Sequence, residues 1–269
     1  MAIDLDLYFK RIGYQGSREL NSQTLINIHR QQSLTIPLDM LDHHLGVPLS
    51  LEPEFIFNKI LRHKRGGGCS QLNEILALAL IALGFKVERL MARVFYDLEE
   101  DQAPILSHKM LRVTFNDETW ICDCGFYCGL IEPIPFVLDT QFDHCNRSFI
   151  LTEHKEHGIM FKAKIEDKWI EMYTFNLISY IPEDYKAVFS YNCINPERPF
   201  YDHAIVTMNT IDGKKVLYDR TFDKKSGKKT TVINIRTCEQ YHEILREEFN
   251  IEIPEHPNFF PDPMLMLKR

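Results

Sequence analysis

No stretch of the 269 residues approaches the about 18 consecutive uncharged apolar residues of a membrane-spanning helix, so no membrane partner is expected. Positive charge is in short supply, with 31 Lys and Arg against 38 Asp and Glu, a net charge of -7. That balance argues against nucleic acid as a partner, which calls for a basic face, but leaves room for a local basic pocket. The opening residues, MAIDLDLYFKRIGY, lack the basic start and apolar run of a secretory leader. The seven cysteines are odd in number and show no spacing of a small disulfide framework. A reduced, cytoplasmic compartment is therefore expected, in which a free thiolate can work as a catalyst. The length exceeds the usual size of one core, so two or three packed units are expected, as a monomer or weak homo-oligomer.

Glycine is also sparse, only 12 residues, yet three of them stand together in Arg65-Gly66-Gly67-Gly68-Cys69. The chain up to this point reads as helical. Leu5–Ile12 is amphipathic and ends at Gly13, Ser22 suits an N-cap for the next apolar stretch, and residues 54–64 read as one short helix. Pro37, Pro48 and Pro53 break the region between into turns. After Cys69, Leu72, Ile75, Leu76, Ala79, Leu80 and Leu83 recur at helical spacing, and Gly84 sits where a C-terminal cap belongs. From Lys86 the period falls to two. Strands are expected at 87–96, 109–115, 119–124, 148–151, 159–165 and 169–175, which suggests an antiparallel barrel. Residues 182–199 have mixed character and read as a link. Two further strands (204–209 and 215–219) and a helix near 238–248 follow. The expected units are a helical bundle over 1–85, a β-barrel over 86–185, and a linker with an α/β lid over 186–269. The fold class is α+β.

Cys69 thus stands at the end of a glycine turn and the start of a helix. The unpaired N–H groups and positive end of a first helical turn favour a thiolate. Together with the amides of Gly67 and Gly68, they suit the oxyanion of a tetrahedral intermediate. A buried structural cysteine remains the alternative on this segment alone. A thiolate also needs a base. If Asn116-Asp117 is a tight turn between two strands, Val113 faces Trp120 and Met110 faces Asp123. His108, two residues from Met110, then shares the face of Asp123 at roughly 7–8 Å backbone separation. A slip of one residue would separate them. Cys69 would attack an acyl donor, His108 would manage the protons, and Asp123 would orient the imidazole.

Five segments across roughly the first 130 residues resemble, in order, the signatures of the arylamine N-acetyltransferase family. YFKRIGYQGS resembles YxxRIGxxG, LTIPLDML resembles xIPFENL, and RGGGCSQLN resembles RGGxCxExN. SHKMLRV and WICDCGF resemble the segments carrying the family's histidine and aspartate. The resemblance implies a Cys69-His108-Asp123 triad on a cysteine-protease-like core. It implies a helical domain, a β-barrel and a lid, and Arg65 supporting the nucleophile turn. Acetyl-CoA is the implied acyl donor, and an arylamine, arylhydrazine or N-hydroxyarylamine the acceptor, by a ping-pong route. Phe126 would line the acceptor pocket, and the turn holding Gly125 and Gly129 would approach the cofactor. The chain departs from the pattern at Gly68, Ser70, Gln71 and Tyr127. The C-terminal third matches poorly, so no residue is carried over there.

A cysteine hydrolase or transglutaminase-like enzyme with the same triad, or a catalytically silent CoA-binding protein, are the competing functions. No metal is expected. Cys122, Cys124 and Cys128 read as core packing, with Cys122 and Cys124 facing away from Asp123. His43, His44, His154 and His157 read as loop or surface residues. The lysines around Ser226-Gly227 read as a hairpin tip, with attraction to CoA phosphates as the alternative. His203, after Asp202, is either a structural histidine or a cofactor contact.

Overall fold

The computed structural model describes residues 3–98, 102–126, 128–195 and 199–261. Helix α1 (Leu5–Ile12) is capped by Asp4, whose carboxylate accepts from Leu7 N–H at 3.0 Å, and stops at Gly13 with φ 68°. Helix α2 (Ser22–Thr35) is capped by Asn21 rather than Ser22. The Asn21 side chain accepts from Thr24 N–H, and its extended backbone leaves Ser22 as the first helical residue. Strand β1 (Leu38–Asp39) and helix α3 (Asp42–Leu45) follow.

The helix expected over 54–64 divides. Helix α4 (Pro53–Phe57) gives way to a π-helical turn at Asn58–Arg62, which carries Lys59 inward to Asp42 at 2.5 Å. Helix α5 (Cys69–Ala82) has the expected span. Its C-cap is Leu83, and Gly84, at φ 93°, lies one residue beyond.

The central sheet comprises β2 (Lys86–Val94), β3 (Leu106–Phe115), β4 (Glu118–Cys122), β5 (Ile134–Pro135), β6 (Gln141–His144), β7 (Arg147–His154), β8 (Gly158–Ile165) and β9 (Lys168–Phe175). Their order is β5-β4-β3-β2-β9-β8-β7-β6, antiparallel throughout, and the sheet curls into a nearly closed barrel. The β3–β4 turn is Asn116-Asp117, at φ 44° and 64°, so Phe115 pairs with Glu118 and Val113 with Trp120 as the turn demanded. Residues 116 and 117 tolerate the left-handed region because their short polar side chains suit it.

The segment 182–199, expected as a link, is mostly helix: α6 (Pro182–Ile194), then the short α7 (Pro199–Asp202). Strands β10 (Ile205–Thr210), β11 (Gly213–Tyr218), β12 (Thr221–Ser226) and β13 (Lys229–Asn234) precede α8 (Cys238–Phe249). With β1 they form a second antiparallel sheet, ordered β1-β10-β11-β12-β13. The sequence reading missed β12 and β13. Only Phe222 among their residues is buried, so their apolar alternation is almost silent.

Three apolar cores result. One packs α1, α2 and α5 against Leu111, Val113 and Phe115 of β3. The barrel interior takes Met110 from the opposite face of β3 and Ile121 from β4. A third lies between α8 and the second sheet and takes in Leu41 and Leu45. Strand β3 therefore stands between two cores, buried on both faces, and carries His108 on the barrel side.

Candidate active site

Helix α5 presents Cys69 at its first position, and the turn before it is held from below. Gly66 lies so close to β1 that a Cβ there would stand 2.1 Å from the Pro37 carbonyl oxygen. The Arg65 guanidinium meets Asp39 through Nε (2.7 Å) and Nη2 (2.9 Å), and Asp42 through Nη2 (2.9 Å), with both acids almost wholly buried. Asp39 also accepts from Gly66 and Leu41 N–H, both at 3.1 Å. Burial works against a charged carboxylate here. The positive charges of Arg65 and Lys59, with these hydrogen bonds, overcome it and hold Asp39 well below the usual range. Arg65 thus braces the nucleophile turn. Asp39, its main partner, was not singled out in the sequence, although it lies within LTIPLDML.

The three side chains expected to form the triad lie in contact. His108 Nε2 bonds Asp123 Oδ2 at 2.7 Å, with the two side chains 3% and 0% exposed. That leaves Nδ1 for the nucleophile. Cys69 is half-buried, and the desolvation of its thiol would raise the pKa, but its hydrogen bond to His108 and the imidazolium charge lower it below the ordinary thiol value. Burial pulls the imidazole down, while the Asp123 charge, its hydrogen bond and the contact with Cys69 raise it to about 10. Asp123 is likewise pushed up by burial but held low by His108, Asn73 and Gly125 N–H. The site is arranged to hold a thiolate–imidazolium pair.

Two further side chains fix Asp123, one at its carboxylate and one at its backbone N–H. Asn73, one turn along α5 from Cys69, donates through Nδ2 to Asp123 Oδ1 (2.9 Å) and to the Lys109 carbonyl (2.6 Å), while its Oδ1 accepts from Cys124 N–H (3.0 Å). His29 accepts from Asp123 N–H through Nε2 (3.0 Å) and bonds the Ile131 carbonyl through Nδ1 (2.9 Å). Because Nε2 accepts, Nδ1 carries the proton and this histidine is neutral. Burial lowers its pKa to about 4. Asn73 is the final letter of RGGGCSQLN, so its signal was present. His29 had none among 11 histidines.

The glycine amides expected to hold an oxyanion are engaged elsewhere. Gly67 N–H donates to the Pro37 carbonyl (3.2 Å), and Gly68 N–H to Gln71 Oε1 (3.2 Å). Gln71 also accepts from Lys59 Nζ (3.3 Å) and donates to the Ser50 carbonyl (2.9 Å), a mixed role that a carboxylate lacks.

Gly125 packs on the backbone of Cys69, and its N–H donates to Asp123 Oδ1 at 2.9 Å. Gly129, at φ 73°, faces Arg147 Nε and Asn209 Oδ1. Phe126 sets its ring 4.8 Å from that of His108 and 5.0 Å from that of Tyr173. Tyr127 lies outside the described residues. The cavity over Cys69 and His108 is walled by Leu38, Met40, Val94, Phe126 and Phe189, with Ser107, Asn192 and Cys193 supplying polar atoms. Phe189, Asn192 and Cys193 all come from α6, which the sequence reading passed over as a link. A second cavity meets the first at Leu38, Gly125 and Phe126, and runs toward Asn209 and Lys214.

The other candidates fall apart spatially. Cys122 and Cys124 pack with the helical core and Cys128 against the barrel core. Among the described residues no three His, Cys, Asp or Glu side chains converge as metal ligands. His43 and His44 lie in α3, and His154 and His157 stack on each other at 5.1 Å. His203 bonds Asp219 at 2.7 Å. Lys224 is tied to Glu248 at 3.1 Å, at one end of the β12–β13 hairpin that turns at Gly227.

Comparison with known proteins matches residues 21–257 to the model of a family described as N-acetyltransferase. Arylamine N-acetyltransferase 2 of Mesocricetus auratus is 29% identical, over 96% of this chain and 99% of that protein. The M. smegmatis arylamine N-acetyl transferase structure is 27% identical with a TM-score of 0.88, covering 99% of this chain and 98% of that one. The Mycobacterium marinum arylamine N-acetyltransferase, solved in complex with CoA, shares the fold at 24% identity and a TM-score of 0.85, covering 92% and 93%.

Proposed function

The chain belongs to the arylamine N-acetyltransferase family, and we propose that it transfers an acetyl group from acetyl-CoA to an arylamine, arylhydrazine or N-hydroxyarylamine through an acetyl-cysteine at Cys69. The observation that carries this reading is the Cys69–His108–Asp123 line, its histidine and aspartate buried and its cysteine opening on one largely apolar cavity.

The Cys69 thiolate attacks the thioester carbonyl of acetyl-CoA, forming a C–S bond and an oxyanion. We assign that oxyanion to the first-turn amides of α5, at Cys69 and Ser70. Collapse breaks the bond to the CoA sulfur, which leaves with the proton of the His108 imidazolium. Neutral His108 then takes a proton from the acceptor amine as its nitrogen attacks the acetyl carbon. Collapse of the second intermediate releases the amide and restores the thiolate–imidazolium pair. Throughout, Asp123 holds the imidazole through Nε2 and balances its charge.

The anionic donor finds positive charge along the second cavity and beside the Gly125–Gly129 turn. Lys214 lines that cavity, and Arg147 lies beside Gly129. We therefore assign the turn from Gly125 to Gly129 to the approach of the donor, and Phe126 to the wall of the acceptor pocket. The seven free cysteines, Cys69 among them, favour a cytoplasmic setting.

The test mixes the protein with acetyl-CoA, quenches, and locates the acetyl group by mass spectrometry. An aromatic amine is then added and CoA release followed. Acetylation confined to Cys69 and discharged by the amine is expected. Equal turnover in Cys69→Ala would overturn the proposal, and cleavage of simple amides without CoA would favour the hydrolase reading.

A further inference from the structure

Two residues that line the cavity over Cys69 each carry a buried polar atom with no hydrogen-bond partner among the described residues: Ser107 Oγ and Asn192 Oδ1. Ser107 is 7% exposed. The remainder of the cavity wall is mostly apolar, so these atoms stand out chemically. A buried polar group without a partner is costly, and it persists where a ligand completes it.

The orientation of Asn192 is decided by its other limb. Its Nδ2 donates to the Ser107 carbonyl at 2.8 Å. The reversed amide would set oxygen against oxygen, so Oδ1 is the limb left over. Oδ1 only accepts, and Ser107 Oγ both accepts and donates. Their complement is a group that gives at least one N–H or O–H. A carboxylate offers acceptors alone, and no Lys or Arg is among the described lining residues to receive its charge.

We propose that Ser107 and Asn192 form a specificity site, which selects acceptors whose aromatic ring carries a neutral hydrogen-bond donor, such as a carboxamide, sulfonamide or hydroxyl, over acceptors carrying a carboxylate. The ring lies between Phe126, Val94, Phe189 and Met40, with the amine at the Cys69 thioester. This assignment rests on the proposed reading of the cavity as the acceptor pocket.

The test compares 4-aminobenzamide with 4-aminoacetophenone, which has the same shape but a methyl in place of the amide nitrogen, and with 4-aminobenzoate. In the wild-type protein the benzamide is expected to exceed both in kcat/KM by at least about tenfold, about 1.4 kcal/mol. The benzamide-to-acetophenone ratio falls toward one in Asn192→Leu and drops partway in Ser107→Ala. Equal values for amide and ketone in the wild-type protein, or an unchanged ratio in Asn192→Leu, overturn the proposal. A slower acetylation of Cys69 by acetyl-CoA in Asn192→Leu, with the acceptor ratio intact, also overturns it, because the pair then serves the amide-bearing arm of the donor. Protection of Cys69 against iodoacetamide by the same compounds reads the selectivity without turnover. A failure of acetyl transfer itself is thereby told apart from a failure of this assignment.

Discussion

A Cβ built on Gly125 would stand 2.6 Å from the Cα of Cys69 and 2.9 Å from its Cβ. The loop after β4 is thus pressed against the backbone of the nucleophile, and the loop holding the acid also shapes the start of α5. Gly125→Ala is expected to displace Cys69 and slow its acetylation about a hundredfold, since misplacement by an ångström at a reacting atom costs on that order. Quenched-flow mass spectrometry of the acetyl-enzyme measures it. An undiminished rate would show that the loop yields freely.

Asn73 joins helix α5 to the Asp123 carboxylate by one hydrogen bond, and two more tie it to the Lys109 carbonyl and the Cys124 N–H. Asn73→Ala should lower kcat/KM by roughly thirtyfold, about 2 kcal/mol. Asn73→Asp should be worse than Asn73→Ala at neutral pH, because it sets a second carboxylate beside Asp123. The reverse order would remove Asn73 from the positioning of the acid.

The lowered Cys69 pKa depends on His108, not on exposure. Wild-type alkylation by iodoacetamide should continue well below the pH at which ordinary thiols fall silent. In His108→Gln the main opposition to burial is lost, so the midpoint of the rate profile should move upward. A profile that does not move would assign the base to another group.

His29 is neutral and wholly buried, with a pKa lowered by burial to about 4. The unfolded chain takes up its proton near pH 6.5, the folded chain only near 4, so acidification between the two favours unfolding. This one group should remove about 3 kcal/mol of stability across that window. His43 and His144 are also lowered to about 4, first by burial, and slope the same way. Urea unfolding of His29→Gln between pH 7 and 4 should show a shallower decline than the wild type. An equal slope would show that His29 titrates normally.

Arg65 stands between two buried acids, Asp39 and Asp42. Arg65→Met leaves their charges undercompensated and should cost about 3–5 kcal/mol in urea unfolding. A loss under about 1 kcal/mol would mean that Lys59, which already pairs with Asp42, suffices alone.

Much of this site was legible in the sequence, because its parts obey local rules. The turn before Cys69 announced itself by three adjacent glycines. His108 and Asp123 could be placed on one face because strands alternate and Asn116-Asp117 makes a tight turn, and the register of β3 and β4 agrees. Helix α5 and the barrel strands declared themselves by period. What stayed hidden depends on contacts between residues distant in sequence. His29 meets Asp123 across 94 positions and Asn192 meets Ser107 across 85, and neither separation leaves a periodic trace. The amides of Gly67 and Gly68 looked free for an oxyanion until Pro37 and Gln71 were seen to occupy them. The sequence by itself determined which imidazole and carboxylate share a face, since turn chemistry and strand alternation act over a few residues. Only the tertiary structure decided what braces them and what shape and polarity the acceptor meets, because buried hydrogen-bonding groups take their partners from whichever part of the chain packing brings within reach.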